Sequence, residues 1–345
     1  MSDQVAQLDE AALAAYLPTQ IEGFGSLTEA RKFAGGQSNP TFLLTTDKAR
    51  YVLRRKPPGQ LLKSAHAVDR EYRVMKALAD TDVPVPRVLH LCEDEGVIGS
   101  MFFVMEFLEG RIFWDPGLPE LAREERGPVF DSMNKALAAL HLVDVEAVGL
   151  ADFGRPGSYF ARQVSRWSKQ YAASETKTIA DMDRLIAWLE ERMPEDDGRV
   201  SLVHGDYRID NMVFAPDGPQ ILGILDWELS TLGHPWSDIA YQCMQWRLPN
   251  EGVFRGLGDI DRHAHGLPSE AEFVAAYCAR VGIPQIDNWA FCLAFSFFRL
   301  AAIIQGVYKR ALDGNASNRE RGLAMGPAVE ILARMAIEIV EEKGA

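Results

Sequence analysis

The feature that most constrains the fold is a change in the apolar pattern near Leu108–Gly110. Before it, five short segments carry the alternating or continuous apolar residues of strands, and Ala65 to Asp80 repeats at helical spacing. After it, most apolar segments repeat at helical spacing, and no long linker intervenes. The sequence therefore predicts an α+β fold with two lobes. Residues 1-108 form a lobe with a five-stranded sheet and one long helix, and residues 109-345 form a mainly helical lobe.

The individual segments are bounded by turn-forming and capping residues. A leading helix is expected to end at Pro18, because proline interrupts helical hydrogen bonding. The predicted strands are Ser26 to Phe33, Pro40 to Thr46, Tyr51 to Arg55, Val88 to Cys92 and Met101 to Leu108. The later helices are predicted at Leu121 to His141, Tyr159 to Tyr171, Ile179 to Met193, Ser237 to Gln245, Ser269 to Val281, Asn288 to Leu312 and Pro327 to Glu342. The Gly-rich stretch from Pro249 to Pro268 is predicted to be a loop.

The charge balance is acidic, with 36 lysines and arginines against 49 aspartates and glutamates and a net charge of −13. Nucleic acids and anionic membranes bind basic faces, so neither is expected as a partner. No charge-free apolar run is long enough to span a bilayer, because Arg299 interrupts the best candidate, Phe291 to Ile304. The four cysteines are scattered without a Cys-x-x-Cys pair. They are expected to be buried thiols in a reducing compartment, which favours the cytoplasm.

Two short apolar segments each deliver oxygen-bearing side chains at their ends. The first leads into His204-Gly205-Asp206 and then Asn211, and the second leads into Asp226. Gly205 allows a sharp turn that presents Asp206. Carboxylate and amide oxygens are the ligands that Mg²⁺ takes beside phosphates. The set predicts an ATP phosphotransferase in which Asp206 accepts the proton of a small-molecule hydroxyl, while Asn211 and Asp226 hold Mg²⁺.

Neighbouring residues are given supporting roles. His204 could be a general base or a metal ligand, but it precedes the turn, so bracing of the loop is favoured. Asp238 lies early in a helix, where it can accept backbone N–H groups from the catalytic loop. Arg208 either balances the acidic residues or touches the γ-phosphate, and the first role is favoured. The turn Ala215 to Pro219 is expected to pair the flanking strands, which brings the two metal ligands together.

A second group of residues suits the nucleotide. The turn Gly35-Gly36-Gln37-Ser38-Asn39 offers backbone N–H groups to phosphate oxygens, although an ordinary hairpin turn has the same composition. On the following strand, alternation places Val52 and Arg54 on one face, where they could cover a base and reach a phosphate. Glu71 on the next helix could brace Arg54. The alternative is a solvated edge strand with a surface glutamate, but the order of these residues favours nucleotide binding.

The last strand of the first lobe runs into a polar hinge at Met105-Glu106-Phe107-Leu108. Such a hinge would expose backbone groups of Glu106 and Leu108, next to Met105, to the edge of an adenine. The alternative is a simple buried strand. Backbone contacts leave no residue signature, so the sequence does not separate the two interpretations.

The motifs His204-Gly205-Asp206-x-x-x-x-Asn211 and Ile224-Leu225-Asp226-Trp227-Glu228 resemble the aminoglycoside phosphotransferase and choline kinase-like branch of the protein-kinase-like fold. The resemblance covers nearly the whole chain. It implies an antiparallel N-terminal sheet, ATP and Mg²⁺ as cofactors, a catalytic Asp206 and metal-binding Asn211 and Asp226. Arg54 stands where protein kinases place a lysine, and the two cations are not equivalent. Only twelve positions separate Asp226 from Asp238, so a long activation loop and peptide substrates are not expected.

Three phrases, residues 35–41, 52–59 and 314–317, are similar to one subgroup of this family. It contains kinase domains fused to acyl-CoA dehydrogenases and bacterial kinases of hydroxyacyl-CoA, which implies a hydroxyacyl-CoA or hydroxy-acid acceptor. The late helices carry aromatic and cationic residues that suit such an acceptor, although helical spacing of this kind is more often core. These residues are Phe291, Phe295, Phe297, Phe298, Arg299, Tyr308, Lys309, Arg310, Arg319 and Arg321. Likewise Arg162, Arg166 and Lys169, beside Trp167, form either a binding rim or a solvated face.

Two other functions remain open. An aminoglycoside is the alternative acceptor, because a protein of net charge −13 attracts polycations. A non-catalytic, nucleotide-binding pseudokinase is the third possibility, and the intact Asp206, Asn211 and Asp226 set argues against it. The sequence indicates neither the oligomeric state nor the position phosphorylated.

Overall fold

The computed structural model describes residues 8–33, 39–57, 67–316 and 318–342. The chain divides into two compact units. The first comprises residues 1–112, 146–150 and 211–230, and the second comprises residues 113–145, 151–210 and 231–345. The predicted α+β class, with a five-stranded antiparallel sheet and a helical C-terminal region, is confirmed.

The first unit is built on a sheet of five strands in the order β1-β2-β3-β5-β4, and every neighbouring pair is antiparallel. The strands are β1 (Leu27–Lys32), β2 (Thr41–Thr46), β3 (Arg50–Arg55), β4 (Val88–Cys92) and β5 (Phe102–Glu106). Two helices, α1 (Glu10–Gln20) and α2 (Val68–Leu78), complete this part. The central position of β3 matters for function, because it fixes the side chain of Arg54 within the unit.

Helix α1 forms a hydrophobic core with one face of the sheet, in which Leu13 and Leu17 cluster with Leu44, Leu53 and Val104. The helix continues through Pro18 to Gln20, so the prediction that it ends at Pro18 is wrong. The missing N–H removes only one helical bond, and the Ile21 N–H still donates to the Leu17 carbonyl at 2.9 Å. Burial of the two leucines stabilises the extra residues.

The first unit also contains residues 211–230, which lie far beyond the predicted boundary at residue 108. These residues form the hairpin strands β7 (Met212–Phe214) and β8 (Ile221–Ile224) and a short 3-10 helix at Trp227–Leu229. Backbone hydrogen bonds explain the difference from the predicted ranges. The Ile224 N–H donates to Pro84 at 2.9 Å, and Arg111 and Phe214 exchange two bonds of 2.8 Å. A helix, α2, packs against the 3-10 turn.

The second unit is mainly helical. Its helices are α3 (Arg123–His141), α4 (Tyr159–Ser174), α5 (Ala180–Glu191), α6 (Trp236–Cys243), α7 (Glu270–Val281), α8 (Trp289–Leu312), α9 (Arg319–Ala324) and α10 (Ala328–Glu342). Seven of these match predicted helices to within a few residues, and the short α9 is additional. Two strands, β6 (Ser201–Val203) and β9 (Thr231–Gly233), pair antiparallel. The predicted loop from Pro249 to Pro268 contains neither a helix nor a strand.

Helix α8 is the core helix of the second unit and packs against α4, α5, α6 and α10. Its length and composition would suit a membrane span, but 78% of its most apolar window is buried inside the protein. The phenylalanines predicted as an aromatic wall lie here, and each is at most 3% exposed. They are core residues, so they do not support an acyl-chain pocket. All four cysteines are buried free thiols, as predicted.

Candidate active site

The turn that carries Asp206 follows β6 directly. Gly205 has a φ of +84°, in the left-handed region where glycine is unstrained. This conformation turns the chain immediately after β6 and presents the Asp206 carboxylate, whose side chain is 25% exposed. A partly exposed carboxylate on a fixed turn can accept a proton from a bound hydroxyl.

A buried carboxylate holds this turn from below. Asp238, on α6, is fully buried and accepts the His204 N–H at 2.6 Å and the Gly205 N–H at 2.9 Å. The Nδ1 atom of His204 accepts the Asp206 N–H at 3.2 Å. These contacts have the bracing geometry expected of His204 and Asp238, and they fix three consecutive backbone N–H groups.

Asp238 has no access to solvent, yet its neighbours favour the ionised carboxylate. Burial would raise its pKa, but the hydrogen bond and charge of His141 and the Gly205 N–H lower it below the ordinary value. His141 Nε2 lies 3.4 Å from the carboxylate, and His141 Nδ1 lies 2.6 Å from the Tyr277 hydroxyl. A buried carboxylate with these hydrogen-bond partners stabilises the turn.

Two residues that the sequence did not connect with the Asp206 turn contact it: Arg299, which was expected among the acceptor-binding cations, and Tyr241. Arg299 of α8 donates to the Gly205 carbonyl at 2.6 Å, and its guanidinium stacks near the rings of Trp167 and Tyr241. Burial and the charge of Asp206, to which the Tyr241 hydroxyl hydrogen-bonds, raise the pKa of Tyr241. The sequence signal for Arg299 was a lone charge within an apolar helix. Nothing local pointed to Tyr241.

Arg208 lies among carboxylates two residues beyond the turn. It pairs closely with Asp210, and its Nε atom lies 3.8 Å from an oxygen of Asp206. Burial opposes the Arg208 charge, but Asp206 and Asp210 outweigh it and raise the pKa of Arg208. These contacts agree with the favoured role of balancing the acidic residues.

In the first unit, Arg54 joins three carboxylates. Its Nε atom lies 2.9 Å from Glu71, and its Nη2 atom pairs closely with Asp226 and lies 3.8 Å from Glu228. Burial would lower the pKa of Arg54, but the three acids raise it. The expected contact between Glu71 and Arg54 is therefore present, and it extends to Asp226.

Glu71 is 1% exposed and has the most unusual charge environment of this cluster. Burial, together with the charges of Asp226 and Glu228, raises the pKa of Glu71 to about 7, although Arg54 and Asn39 oppose the shift. Asn39 donates to Glu71 at 2.7 Å. Asn39 therefore supports the cluster from the end of the predicted phosphate turn, whose other members, Gly35, Gly36, Gln37 and Ser38, lie outside the described residues.

The hairpin β7–β8 places the two predicted metal ligands at one end. Met212 pairs with Ile224, and the Leu225 N–H donates to the Asn211 carbonyl at 2.8 Å, as the predicted turn requires. Asp226 follows with a φ of +64°, which is uncommon for a residue with a side chain. This conformation directs the carboxylate to Arg54.

The donor set fits Mg²⁺. Asn211 and Asp226 are both partly exposed and supply an amide and a carboxylate oxygen. Across the described ranges, no group of three His, Cys, Asp or Glu residues is arranged to hold a metal. Mg²⁺ commonly takes one or two protein ligands, with phosphate and water oxygens completing its shell.

The hinge residues are only partly available to a base. Glu106 ends β5, and its N–H donates to the Arg87 carbonyl at 2.9 Å. That N–H is therefore occupied, so the expectation that the backbone groups of Glu106 are exposed is corrected for its N–H group. Val52 and Met105 are buried and form a register pair on adjacent strands, so they offer an apolar surface. Leu108 is partly exposed.

Comparison with known proteins places this fold in a family of phosphotransferases. The model of the phosphotransferase enzyme family, APH, matches residues 29–295. The chain belongs to this family, as its motifs predicted.

Curated relatives are longer than this chain. Acyl-CoA dehydrogenase family member 10 of Mus musculus is 47% identical over 92% of this chain and 30% of the mouse protein. Acyl-CoA dehydrogenase family member 11 of Rattus norvegicus is 42% identical over 96% of this chain and 43% of the rat protein. The chain thus spans less than half the length of these relatives.

Solved structures share the fold. A crystal structure from Ralstonia eutropha JMP134, provisionally assigned as an aminoglycoside phosphotransferase, has 47% identity and a TM-score of 0.88, covering 97% of this chain and 99% of that chain. The aminoglycoside phosphotransferase APH(4)-Ia, in complex with AMP-PNP and hygromycin B, has 16% identity and a TM-score of 0.62 over 95% of this chain and 98% of that chain. At that identity the likeness concerns the fold alone.

Proposed function

We propose that this chain transfers the γ-phosphoryl group of Mg²⁺-ATP to an alcohol hydroxyl of a small molecule, and that the acceptor is a hydroxyacyl-CoA or a hydroxy acid. The observation that carries the proposal is the Asp206 turn, held through three backbone N–H groups by Asp238 and His204. Such a turn suits a base that must keep one orientation while a proton moves.

Asp206 accepts the proton of the acceptor hydroxyl. As the hydroxyl oxygen bonds to the γ-phosphorus, the bond between the γ-phosphorus and the oxygen that bridges to the β-phosphate breaks, and ADP leaves. Tyr241 and the backbone of the turn orient that carboxylate. Asn211 and Asp226 would hold Mg²⁺, which when bound neutralises charge on the phosphates. The peptide chain links these roles, because Asn211 follows Asp206 by five residues.

Arg54 is proposed to contact the nucleotide phosphates, with Glu71 and Asn39 fixing its orientation. Val52, Met105 and Leu108 would contact the base. The complex of APH(4)-Ia with AMP-PNP supports a purine nucleoside triphosphate as the donor.

The proposed acceptor follows from the relatives of this chain. Support comes from the relatives at 42% to 47% identity, which are named as acyl-CoA dehydrogenase family members. A domain joined to such an enzyme would act on a compound that the dehydrogenase can also bind. The aromatic residues of α8 lend no support, because they are buried in the core.

An aminoglycoside is the second candidate acceptor, because APH(4)-Ia was solved with hygromycin B and the present chain has a net charge of −13. The test measures ADP release with Mg²⁺-ATP and either 4-hydroxyacyl-CoA or kanamycin-type compounds, and identifies the product by mass spectrometry. We expect phosphorylated thioester with the first panel. Turnover with aminoglycosides alone would overturn the acceptor assignment and leave the kinase assignment intact.

A further inference from the structure

Helix α4 has two contrasting faces. Its inner face buries aromatic side chains, including Tyr159, Phe160, Trp167 and Tyr171. Its outer face forms a shallow, open surface groove, whose lining comes from this one helix: Ala161, Arg162, Ser165, Arg166 and Lys169. Three of the five groove residues are cations, in a protein whose net charge is −13.

No carboxylate neutralises these cations within the described ranges of the chain. Arg162 donates to the backbone carbonyls of Arg155 and Pro156, and Arg166 stacks beside the Trp167 ring at 5.4 Å. Like charges one helical turn apart repel each other. A bound polyanion would remove that repulsion, which makes the groove a candidate anion site.

The spacing of the cations favours a ligand with several anionic groups. Positions 162, 166 and 169 are four and three residues apart, so they rise by about 6 Å and then about 4.5 Å along the helix. Arginine presents a fork of donors that matches phosphate oxygens. A single carboxylate could engage one of these residues but not all three.

The same helix is linked to the catalytic turn through Arg299 of α8. Trp167, on its inner face, lies 5.7 Å from the guanidinium of Arg299, which donates to the Gly205 carbonyl beside Asp206. One layer of side chains therefore lies between the basic groove and Arg299, which holds the turn that carries Asp206. The residues proposed for ATP phosphates, Arg54 and Asp226, belong to the other unit.

We propose that the outer face of α4 binds the phosphate groups of the CoA portion of the acceptor, and so selects CoA thioesters over free hydroxy acids. This inference rests on the proposed hydroxyacyl-CoA acceptor. CoA carries a diphosphate and a 3′-phosphate, which together supply the several anionic groups that the spacing requires. Its long, flexible pantetheine arm allows the phosphates to bind away from the reacting hydroxyl.

The test compares two triple variants that remove the same charge. The first is Arg162→Gln/Arg166→Gln/Lys169→Gln. The control is Lys135→Gln/Arg184→Gln/Arg192→Gln, whose cations lie on other helices or their ends and pair with carboxylates. Calorimetry measures the affinity of each protein for CoA, dephospho-CoA and ATP. Urea unfolding of each variant, compared with the wild type, shows whether the variant is folded.

If each contact contributes about threefold, the groove variant should bind CoA about 30-fold more weakly, with ATP affinity unchanged. The control variant should bind CoA within about twofold of the wild type, and rising salt should weaken only the wild-type and control complexes. The KM for hydroxyacyl-CoA should rise in parallel, whereas the KM for the matching pantetheine thioester should not. Weaker binding of dephospho-CoA by the wild type would assign the 3′-phosphate to the groove.

Equal CoA affinity in the two triple variants, or no CoA binding by the wild type, would overturn the inference. Failure of the proposed function is distinguishable from failure of this inference, because the first is measured by phosphorylation of the acceptor and the second by CoA affinity. If no hydroxyacyl thioester is phosphorylated but the groove variant still loses CoA binding, the subsite stands and the acceptor assignment is wrong.

Discussion

Two fully buried carboxylates differ in their electrostatic state: Glu71 supports the Asp226 residue set of the first unit, and Asp238 supports the Asp206 turn of the second. These two residue sets are called the Glu71 half and the Asp238 half of the catalytic residues. Burial and neighbouring acids raise the pKa of Glu71 to about 7. Asp238 is equally buried, but His141 and a backbone N–H group lower its pKa. The difference comes from the partners: Glu71 shares the guanidinium of Arg54 with Asp226 and Glu228, whereas Asp238 accepts two backbone N–H groups.

This comparison indicates that the halves are held by different forces. The Asp206 turn is fixed by hydrogen bonds to backbone N–H groups, which have little freedom to rearrange. The Asp226 side is fixed by a cation with three acidic neighbours, an arrangement that a second cation such as Mg²⁺ would stabilise. The Asp206 turn therefore suits proton transfer, which needs a fixed geometry. The Asp226 side suits a charged ligand that binds and dissociates in each turnover.

The largest expected effect on activity comes from removing a charge in the Glu71 half. Asp226→Asn removes a proposed metal ligand and one of the three acids around Arg54. We expect kcat/KM with Mg²⁺-ATP to fall about 1,000-fold, because the phosphate charge loses its metal clamp. Titration of Mg²⁺ at fixed ATP measures the change. An unaltered Mg²⁺ dependence would contradict the role of Asp226.

Asp238→Asn tests the hydrogen-bonded half. An amide has one acceptor oxygen, so one of the N–H groups of His204 and Gly205 would lose its buried partner, at a cost of about 2 kcal/mol. We expect that loss in urea unfolding and a fall in kcat of about 100-fold. The matched control is Asp313→Asn, an exposed partner of Lys309 that should change neither quantity. A stable variant with normal kcat would mean that Asp238 does not orient Asp206.

How far the sequence predicts this molecule depends on the distance between partners along the chain. Strand and helix order placed Arg54 near Glu71, and the hairpin turn brought Asn211 beside Leu225. The contact of Arg299 with Gly205 joins residues 94 positions apart and depends on how α8 packs, which no local pattern encodes.

The same reason explains the sequence expectations that the structure corrects. The phenylalanines of α8 could equally have lined a pocket or filled the core, and only the packing of neighbouring helices decides between these. The N–H of Glu106 is occupied because β5 pairs with the segment at Arg87. Helix α1 passes Pro18 because tertiary burial of Leu13 and Leu17 outweighs one lost hydrogen bond.

Arg54→Lys tests whether the Glu71 half needs a guanidinium or only a positive charge. A lysine ammonium is a point charge and cannot bind Glu71 and Asp226 through separate nitrogens as the guanidinium does. We expect the KM for ATP to rise about tenfold, with kcat less affected. Arg50→Lys on the same strand is the control, because Arg50 forms an exposed pair with Glu109. Equal KM values in the two variants would remove the special role of Arg54.

The smallest expected effect is a pH dependence that only the Glu71 half should show. With a folded-state pKa of about 7 against an ordinary value of 4.5, Glu71 contributes stability that is complete below pH 4.5 and lost as the pH rises through about 7. Wild type should lose about 1 kcal/mol relative to Glu71→Gln between about pH 5.5 and about pH 6.5. Urea unfolding at both pH values provides the test, and a constant difference between the proteins would show that Glu71 is already ionised.

The most direct test of the central claim is a comparison of wild type with Asp206→Asn at saturating Mg²⁺-ATP, with phosphorylated 4-hydroxyacyl-CoA quantified by mass spectrometry and ATP affinity measured by calorimetry. The asparagine keeps the shape of the side chain but accepts no proton. We expect product formation to fall about 1,000-fold while ATP affinity stays within about twofold. Near-normal product formation by Asp206→Asn would contradict the assignment of Asp206 as the base.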